Sequence, residues 1–326
     1  MKPVINVSVG GAPVSSAFYS RLLTATVTDQ EGHKADTCRF EFADDPPAAI
    51  PNRGSIMTVA MGYEAPVFMG AFTVDEVEVE CFPFKMSVSG KSADIRKEMK
   101  TNKERHWDQK TVQDVISEIA GEHGLSPAIS GAVGSHLYEW LGQQDESDLH
   151  FLERLARRHN ALFAVKNGRL VFAERGSGLS VSGLSLGGTV ITPDKIITGS
   201  CRVQFKDRSQ YKDVVAYFDD KDKAERVELK VQSDPQGAAT YRLGEPFGSQ
   251  AEAEKAANSK ARDLKRGIDR VTVTVVGDPA IRAGGPLSFA GVRPGVDGLP
   301  FIIETAKHVF SKSQGYRTQI TATGQT

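Results

Sequence analysis

Three carboxylates, Glu76, Glu78 and Glu80, alternate with Val77 and Val79 in a strand-like run. Alternate residues of a strand share one face, so the three acids stand together. A glycosidase needs two carboxylates that flank a sugar bond from opposite sides, and this spacing does not supply them. A solvated strand face is the plain reading. The sharper one is an acidic channel lining, where repulsion keeps a passing polyanion from sticking. Ser89-Gly90-Lys91-Ser92 imitates the end of a phosphate-binding loop, but the earlier glycine of that motif falls on Lys85. It is expected to form a turn between domains. The seven histidines contain no His-Glu-x-x-His. His150 and His159, nine residues apart on a helical stretch, are too distant to share a metal directly. They are expected to be structural or superficial. No Gly-x-Ser-x-Gly elbow occurs. Cys38, Cys81 and Cys201 are dispersed and odd in number, which reads as reduced, buried thiols rather than a disulfide framework or a zinc motif. Phe40, Phe42, Phe68 and Phe72 fall at strand spacing and are expected in a core rather than on a base-stacking platform. No catalytic, cofactor or metal site is predicted, and the chain reads as a scaffold rather than an enzyme.

The elements around these residues divide 326 positions into more than one domain. Forty Lys+Arg against 41 Asp+Glu leave a net charge of -1, which excludes bulk attraction to nucleic acid or acidic lipid as the main activity. No apolar run approaches the roughly 18 residues that span a bilayer, and the N-terminus lacks a signal-peptide core. A soluble product of a reducing cytoplasm, with no membrane binding, is expected.

Short alternating runs between Gly, Pro and Asp clusters predict a first β domain over 1–92, a small barrel or a sandwich. An α/β domain over 93–176 follows. In it Thr111 caps a helix that buries Val112, Val115, Ile116 and Ile119, and Gly124 ends that helix. A second helix starts near Ser147-Asp148 and buries Leu149, Leu152, Leu155 and Ala156. An Asn167-Gly168 hairpin comes next. The Gly/Ser-rich stretch 176–188 reads as a linker. Residues 177–326 read as a second β domain with one helix over about 249–266, opened by the capping box Ser249–Glu252; a repeated barrel fits this order, although the residues show no repeat. The fold class is mainly β with α/β elements.

Two segments then carry a family pattern. Gln143-Gln144-Asp145-Glu146-Ser147-Asp148, with the Leu149–Ala156 helix and the Asn167-Gly168-Arg169-Leu170 hairpin, resembles the central domain of contractile-tail hub proteins. That segment alone does not separate phage hubs from type VI secretion spikes. Gly277-Asp278-Pro279 to Gly284, Gly291-Val292-Arg293-Pro294-Gly295-Val296-Asp297-Gly298, His308 and Gly315-Tyr316-Arg317-Thr318 resemble the late control protein D family of myovirus tails, prophages and R-type tailocins. Pro300-Phe301 departs from the pattern, since the family often carries a Trp there.

The resemblance implies a homotrimeric baseplate hub, assembled in the host cytoplasm and located in the virion tail baseplate or tailocin particle. Each chain would give two tube-like β-barrels, so three chains would adapt a hexameric tail tube to a trimeric spike. The implied partners are sibling subunits, the tail tube protein, the tail spike protein and other baseplate proteins, with DNA only as passing cargo. Glu76, Glu78 and Glu80 are the candidate channel-lining residues. Arg293, Pro294 and Asp297 are the candidate interface loop. A tail-associated peptidoglycan hydrolase and the base of a type VI-like spike are the alternatives.

Overall fold

The computed structural model describes residues 2–32, 35–92, 97–166, 168–174, 187–205, 211–220, 223, 225–266 and 269–324. Most of the 176–188 linker, Asn167 and Gly267 lie outside the described residues. Among the described residues, no helix is long and apolar enough to cross a membrane.

The first segment holds β1 (Val4–Val9), β2 (Ala12–Pro13), α1 (Ser16–Arg21), β3 (Leu22–Gln30), β4 (Thr37–Ala43), β5 (Ile56–Gly62), β6 (Val67–Cys81) and β7 (Phe84–Ser92). Alternation sets their faces: along β4, Cys38, Phe40 and Phe42 are buried while Arg39 and Glu41 face solvent. Next come β8 (Asn102–Thr111), α2 (Val112–Glu122), β9 (Ser126–Ile129), α3 (Gly131–Gly134), β10 (Leu137–Ser147), α4 (Asp148–Arg158), β11 (Ala161–Lys166) and β12 (Arg169–Glu174). The last stretch holds β13 (Thr189–Ile191), β14 (Arg202–Gln204), β15 (Tyr211–Asp220), β16 (Glu225–Gln232) and β17 (Ala239–Phe247). It closes with α5 (Gln250–Arg266), β18 (Arg270–Val276), β19 (Pro286–Phe289), β20 (Phe301–Ser311) and β21 (Gly315–Gly324).

The chain forms two compact units. The first gathers Met1–Ile95, Gly187–Arg202 and Val271–Ala322. Its strands follow the order β18-β21-β20-β3-β4-β7-β6-β5-β1-β2, with β19 joining β20 and β13 joining β19. The pairing of β20 with β3, from Thr305↔Gln30 to Ser311↔Thr24, fuses the two terminal β segments into one sheet. Phe40, Phe72, Met57, Met61 and Val88 fill its core, and Tyr316 joins them from β21. Phe68, expected inside, is 51% exposed. A register shift in the β5·β6 pairing at Val59/Ala60 changes the alternation there, so that Met69 is buried in its place.

The second unit gathers Arg96–Leu186 and Val203–Arg270, with the last four residues. It contains the β10·β8 ribbon, the β11-β12-β9 sheet and the β16-β15-β17 sheet. Thr111 caps α2 through a reciprocal capping box with Asp114, and Val112, Val115, Ile116 and Ile119 are its buried stripe. Ser147 caps α4, whose buried residues include Phe151, Leu152, Leu155 and Ala156, while Leu149 is half-buried. Along α5, Ala253, Ala256, Ala257 and Ala261 bring the helix close to Val214, Ala216 and Phe218 of β15. Ser249 Oγ accepts the Glu252 N–H at 3.3 Å, one half of the expected capping box, and the Glu252 carboxylate accepts the N–H of Gly248 at 3.3 Å. The expected division at 92 and 176 therefore differs from the grouping in space. The 203–270 segment, whose helix packs on its own three strands, groups with the second unit through α4: Ser259 Oγ donates to Arg157 O at 2.6 Å, and Arg158 pairs with Glu245 at 3.2 Å.

Candidate interaction surfaces

Glu76, Glu78 and Glu80 lie on the outer half of β6 and are exposed. The β5·β6 pairing ends at Ile56↔Thr73, but β6 continues against β7 to Cys81↔Phe84. Beyond Thr73, β6 thus has a partner strand on one side only among the described residues. The acidic face is partly neutralised: Glu78 lies 3.7 Å from the Arg39 guanidinium, and Glu80 lies 3.6 Å from Lys85 Nζ. Exposed pairs of this kind contribute about 0–1 kcal/mol, so they organise the face more than they stabilise it.

This hairpin carries a feature that the sequence reading passed over. Phe82 is 94% exposed at its tip, with Val79, Phe84 and Cys81 exposed beside it. The signal was present as Phe82-Pro83 between two β runs, although that pair lacks the Asn-Gly chemistry that usually marks a hairpin. Cys81, expected to be buried, is instead exposed, because it closes the β6·β7 ladder against Phe84. Cys38 is buried, and burial pushes its thiol up to about 12. Cys201 is half-buried. Ser89-Gly90-Lys91-Ser92 is not a turn but the end of β7, paired to both β4 and β6. A Cβ on Gly90 would stand 3.0 Å from the Thr73 carbonyl oxygen and 3.1 Å from Cys38 Sγ, so close strand packing explains this glycine.

The loop between β19 and β20 is shaped by Asp297. Its Oδ1 accepts the N–H groups of Val292 at 2.9 Å and Arg293 at 3.2 Å. Gly298 N–H donates to Phe289 O at 3.0 Å, and Val296 is buried beneath the loop. Gly291, Gly295 and Gly298 adopt φ values of 68°, 84° and 76°, where a side chain would strain the backbone. Arg293 and Pro294 remain exposed. Phe301, at the departure from the family pattern, is buried edge-on to Phe289.

The remaining pattern residues form packing nodes. His308 Nε2–H donates to Ile281 O at 3.1 Å, and its Nδ1 accepts the Tyr316 hydroxyl at 2.8 Å. Thr318 Oγ1 accepts Asp278 N–H at 3.0 Å, and Gly277 leaves room for the Tyr316 ring. Burial, helped by the Arg282 charge, holds the His308 imidazole down at about 4.

In the central segment Asp148 is fully buried. It accepts from Lys103 Nζ at 2.7 Å, an Arg105 N–H at 2.8 Å and Gln143 Nε2 at 2.9 Å, and it lies 2.7 Å from His123 Nε2. Burial pushes its carboxyl up, but the donors and the Arg105 charge outweigh that and lower it. Glu122, His123 and Asp148 bring ligand-type atoms within 4.8 Å of one another. Both Asp148 oxygens are already held by Lys103 and Arg105, so the cluster does not fit a metal ion; it is an ion network tying β8 to α4.

His150 is exposed, whereas His159 is buried with Nε2 at 2.7 Å from the Tyr138 hydroxyl. Burial, with Lys255 and His136 nearby, brings the His159 imidazole down to about 3. The two histidines do not form a common site.

Residues 83–314, which hold the Asp148 network, the Asp297 loop and His308 itself, match the model of the phage tail baseplate hub (GPD) family. The probable baseplate hub protein of Escherichia phage 186 is 26% identical over 362 residues, covering 98% of this chain and 92% of that protein. Its counterpart in Escherichia phage P2 is 27% identical over 350 residues, covering 94% and 89%. The fold is that of the 43 kDa tail protein of prophage MuSo2 from Shewanella oneidensis, with a TM-score of 0.75, 15% identity and coverage of 99% and 98%. The matched residues are more than half of the sequence: the chain belongs to the phage tail baseplate hub (GPD) family.

Proposed function

We propose that the chain works as a homotrimer joining the hexameric tail tube to the trimeric central spike of a contractile tail or tailocin. As a baseplate hub protein it is a component of the virion tail. The observation that carries the proposal is the joining of both terminal β segments into one sheet, in a chain of this family. Two tube-like modules per chain, one built on 1–92 and the other on the strands of 177–326 that join the first unit, β13 and β18 to β21, would give a trimer six modules around a channel. Closed point-group symmetry is the usual outcome when identical subunits associate. The work is mechanical: contact surfaces are matched and no bond is made or broken.

In this reading Glu76, Glu78 and Glu80 face the lumen, where their charge would keep passing DNA from adhering. Arg293 and Pro294 present the β19–β20 loop to a neighbouring baseplate protein, and Asp297 holds its shape. Mass measurement in solution, alone and with the neighbouring spike protein, tests the assembly. Three chains per particle are expected, and a strict monomer in both conditions overturns the proposal. A structure of the trimer with the three glutamates on the outer wall would reject the lumen assignment.

A further inference from the structure

The first unit carries both an apolar knob and an apolar hole. The knob is the β6–β7 hairpin tip, where Phe82 is 94% exposed and Val79 and Phe84 are each more than 40% exposed. Exposed apolar groups scattered singly need no explanation, but three gathered at the end of one hairpin mark a contact site. The hole is a cavity of about 360 Å³ floored by buried Phe40, Phe42, Met57 and Met86. Its rim includes Ala17 and Ala48, small and exposed, so a side chain can enter from solvent. A cavity of roughly 150 Å³ lined by such residues already holds a benzene ring. This one has room for a phenyl ring and its neighbours. Arg21 stands at the mouth 3.6 Å from Asp44, and the flanks of the hairpin carry Glu78 beside Arg39 and Glu80 beside Lys85, so both surfaces bring paired charges and the match is one of apolar shape.

We propose that Phe82 of one chain inserts into the Phe40–Met57 cavity of a second copy of this chain. A knob and a hole at different places on the same surface make a head-to-tail contact, and such contacts close into rings when the rotation allows. The inference rests on the trimeric reading above and adds to it the residues that carry the contact. The exposed Cys81 would then lie at the cavity rim.

That last placement gives the experiment. The full chain carrying Ala48→Cys, oxidised at neutral pH, is expected to form intermolecular disulfides with the native Cys81, seen as dimer and trimer bands on a non-reducing gel. Adding Cys81→Ser should abolish them. Independently, Phe82→Ser should weaken association roughly 10- to 100-fold per contact in a dilution series followed by mass, as expected for removing a buried phenyl ring. Because Phe82 is exposed within the chain, the variant should melt like the parent. A parent chain that stays monomeric both alone and with spike overturns the contact together with the trimer. A parent trimer that Phe82→Ser leaves intact, with no cross-linked bands from Ala48→Cys, overturns the contact alone and leaves the hairpin tip to another baseplate protein.

Discussion

At the scale of single residues, charge buried in the second unit is organised around Asp148. Removing its charge would leave Lys103 and Arg105, both partly exposed and still paired with Glu122, facing a neutral amide. Losing the charge from such hydrogen bonds costs about 1–3 kcal/mol. Asp148→Asn is therefore expected to lower unfolding stability by about that amount in a denaturant titration, and an unchanged midpoint would contradict the network's role. The buried histidines make a second prediction. His159 and His308 are held at about 3 and about 4, below the ordinary histidine value near 6.5. The unfolded chain thus binds protons that the folded chain refuses. Stability should be flat above about pH 6.5 and fall as pH drops towards 4, by up to about 1.4 kcal/mol per pH unit for each histidine. His308→Gln should flatten that slope in melts taken across pH 4–7, whereas a slope of opposite sign would refute the assignment. Little of this was legible beforehand. Asp148 stood in the family pattern, but nothing in the sequence says that Lys103 and Arg105, some forty residues earlier, would reach it. The plain reading of His159 as structural was available from the absence of any metal spacing.

At the scale of elements, local signals did well where one segment settles its own structure. The Thr111 cap, the buried stripe of α2 and the strand spacing of Phe40 and Phe42 in β4 were readable because caps and periodicity act within a few residues. Thr111→Ala should destabilise the second unit by about 1 kcal/mol in a thermal or denaturant melt. The strands that escaped notice are those whose partners are remote. β8 buries only Trp107, so its sequence lacks an apolar alternation; the β10 ladder makes it a strand. Phe68 faces outward because a shift in pairing overrides its spacing, and no intrinsic preference reveals such a shift. The stretch at Gly90 was misread for a similar reason: Gly-Lys-Ser looks like a turn until β4 and β6 flank it. Gly90→Ala should destabilise by about 1–3 kcal/mol, because backbone and core atoms stand where the new methyl must go. A neutral melt for this variant would mean that β4, β6 and β7 are looser than their pairing indicates.

At the scale of the whole molecule, the family pattern conveyed what composition could not. Near-neutral charge and a lack of catalytic spacing only narrowed the possibilities, while the Gly277–Thr318 motif placed the chain among tail hubs. The linear order β, α/β, β was visible, but the union of its two outer parts was not, since sequence shows neighbours along the chain and not across a sheet. That union has a cost in time. Residue 30 bonds alongside residue 305, so the flank of β3 stays open until β20 has been synthesised. Contacts between such distant positions form late and slowly, and an open strand edge in the meantime invites pairing with other nascent chains. Production of a chain ending at residue 300 should therefore give mostly aggregated material in a sedimentation assay, and a soluble product with the parent's melting profile would count against this. For the infected cell, the consequence is a timing constraint. Ribosomes crowded on one message hold many half-finished sheets side by side, and hub output depends on how well those edges are shielded until the final strands emerge.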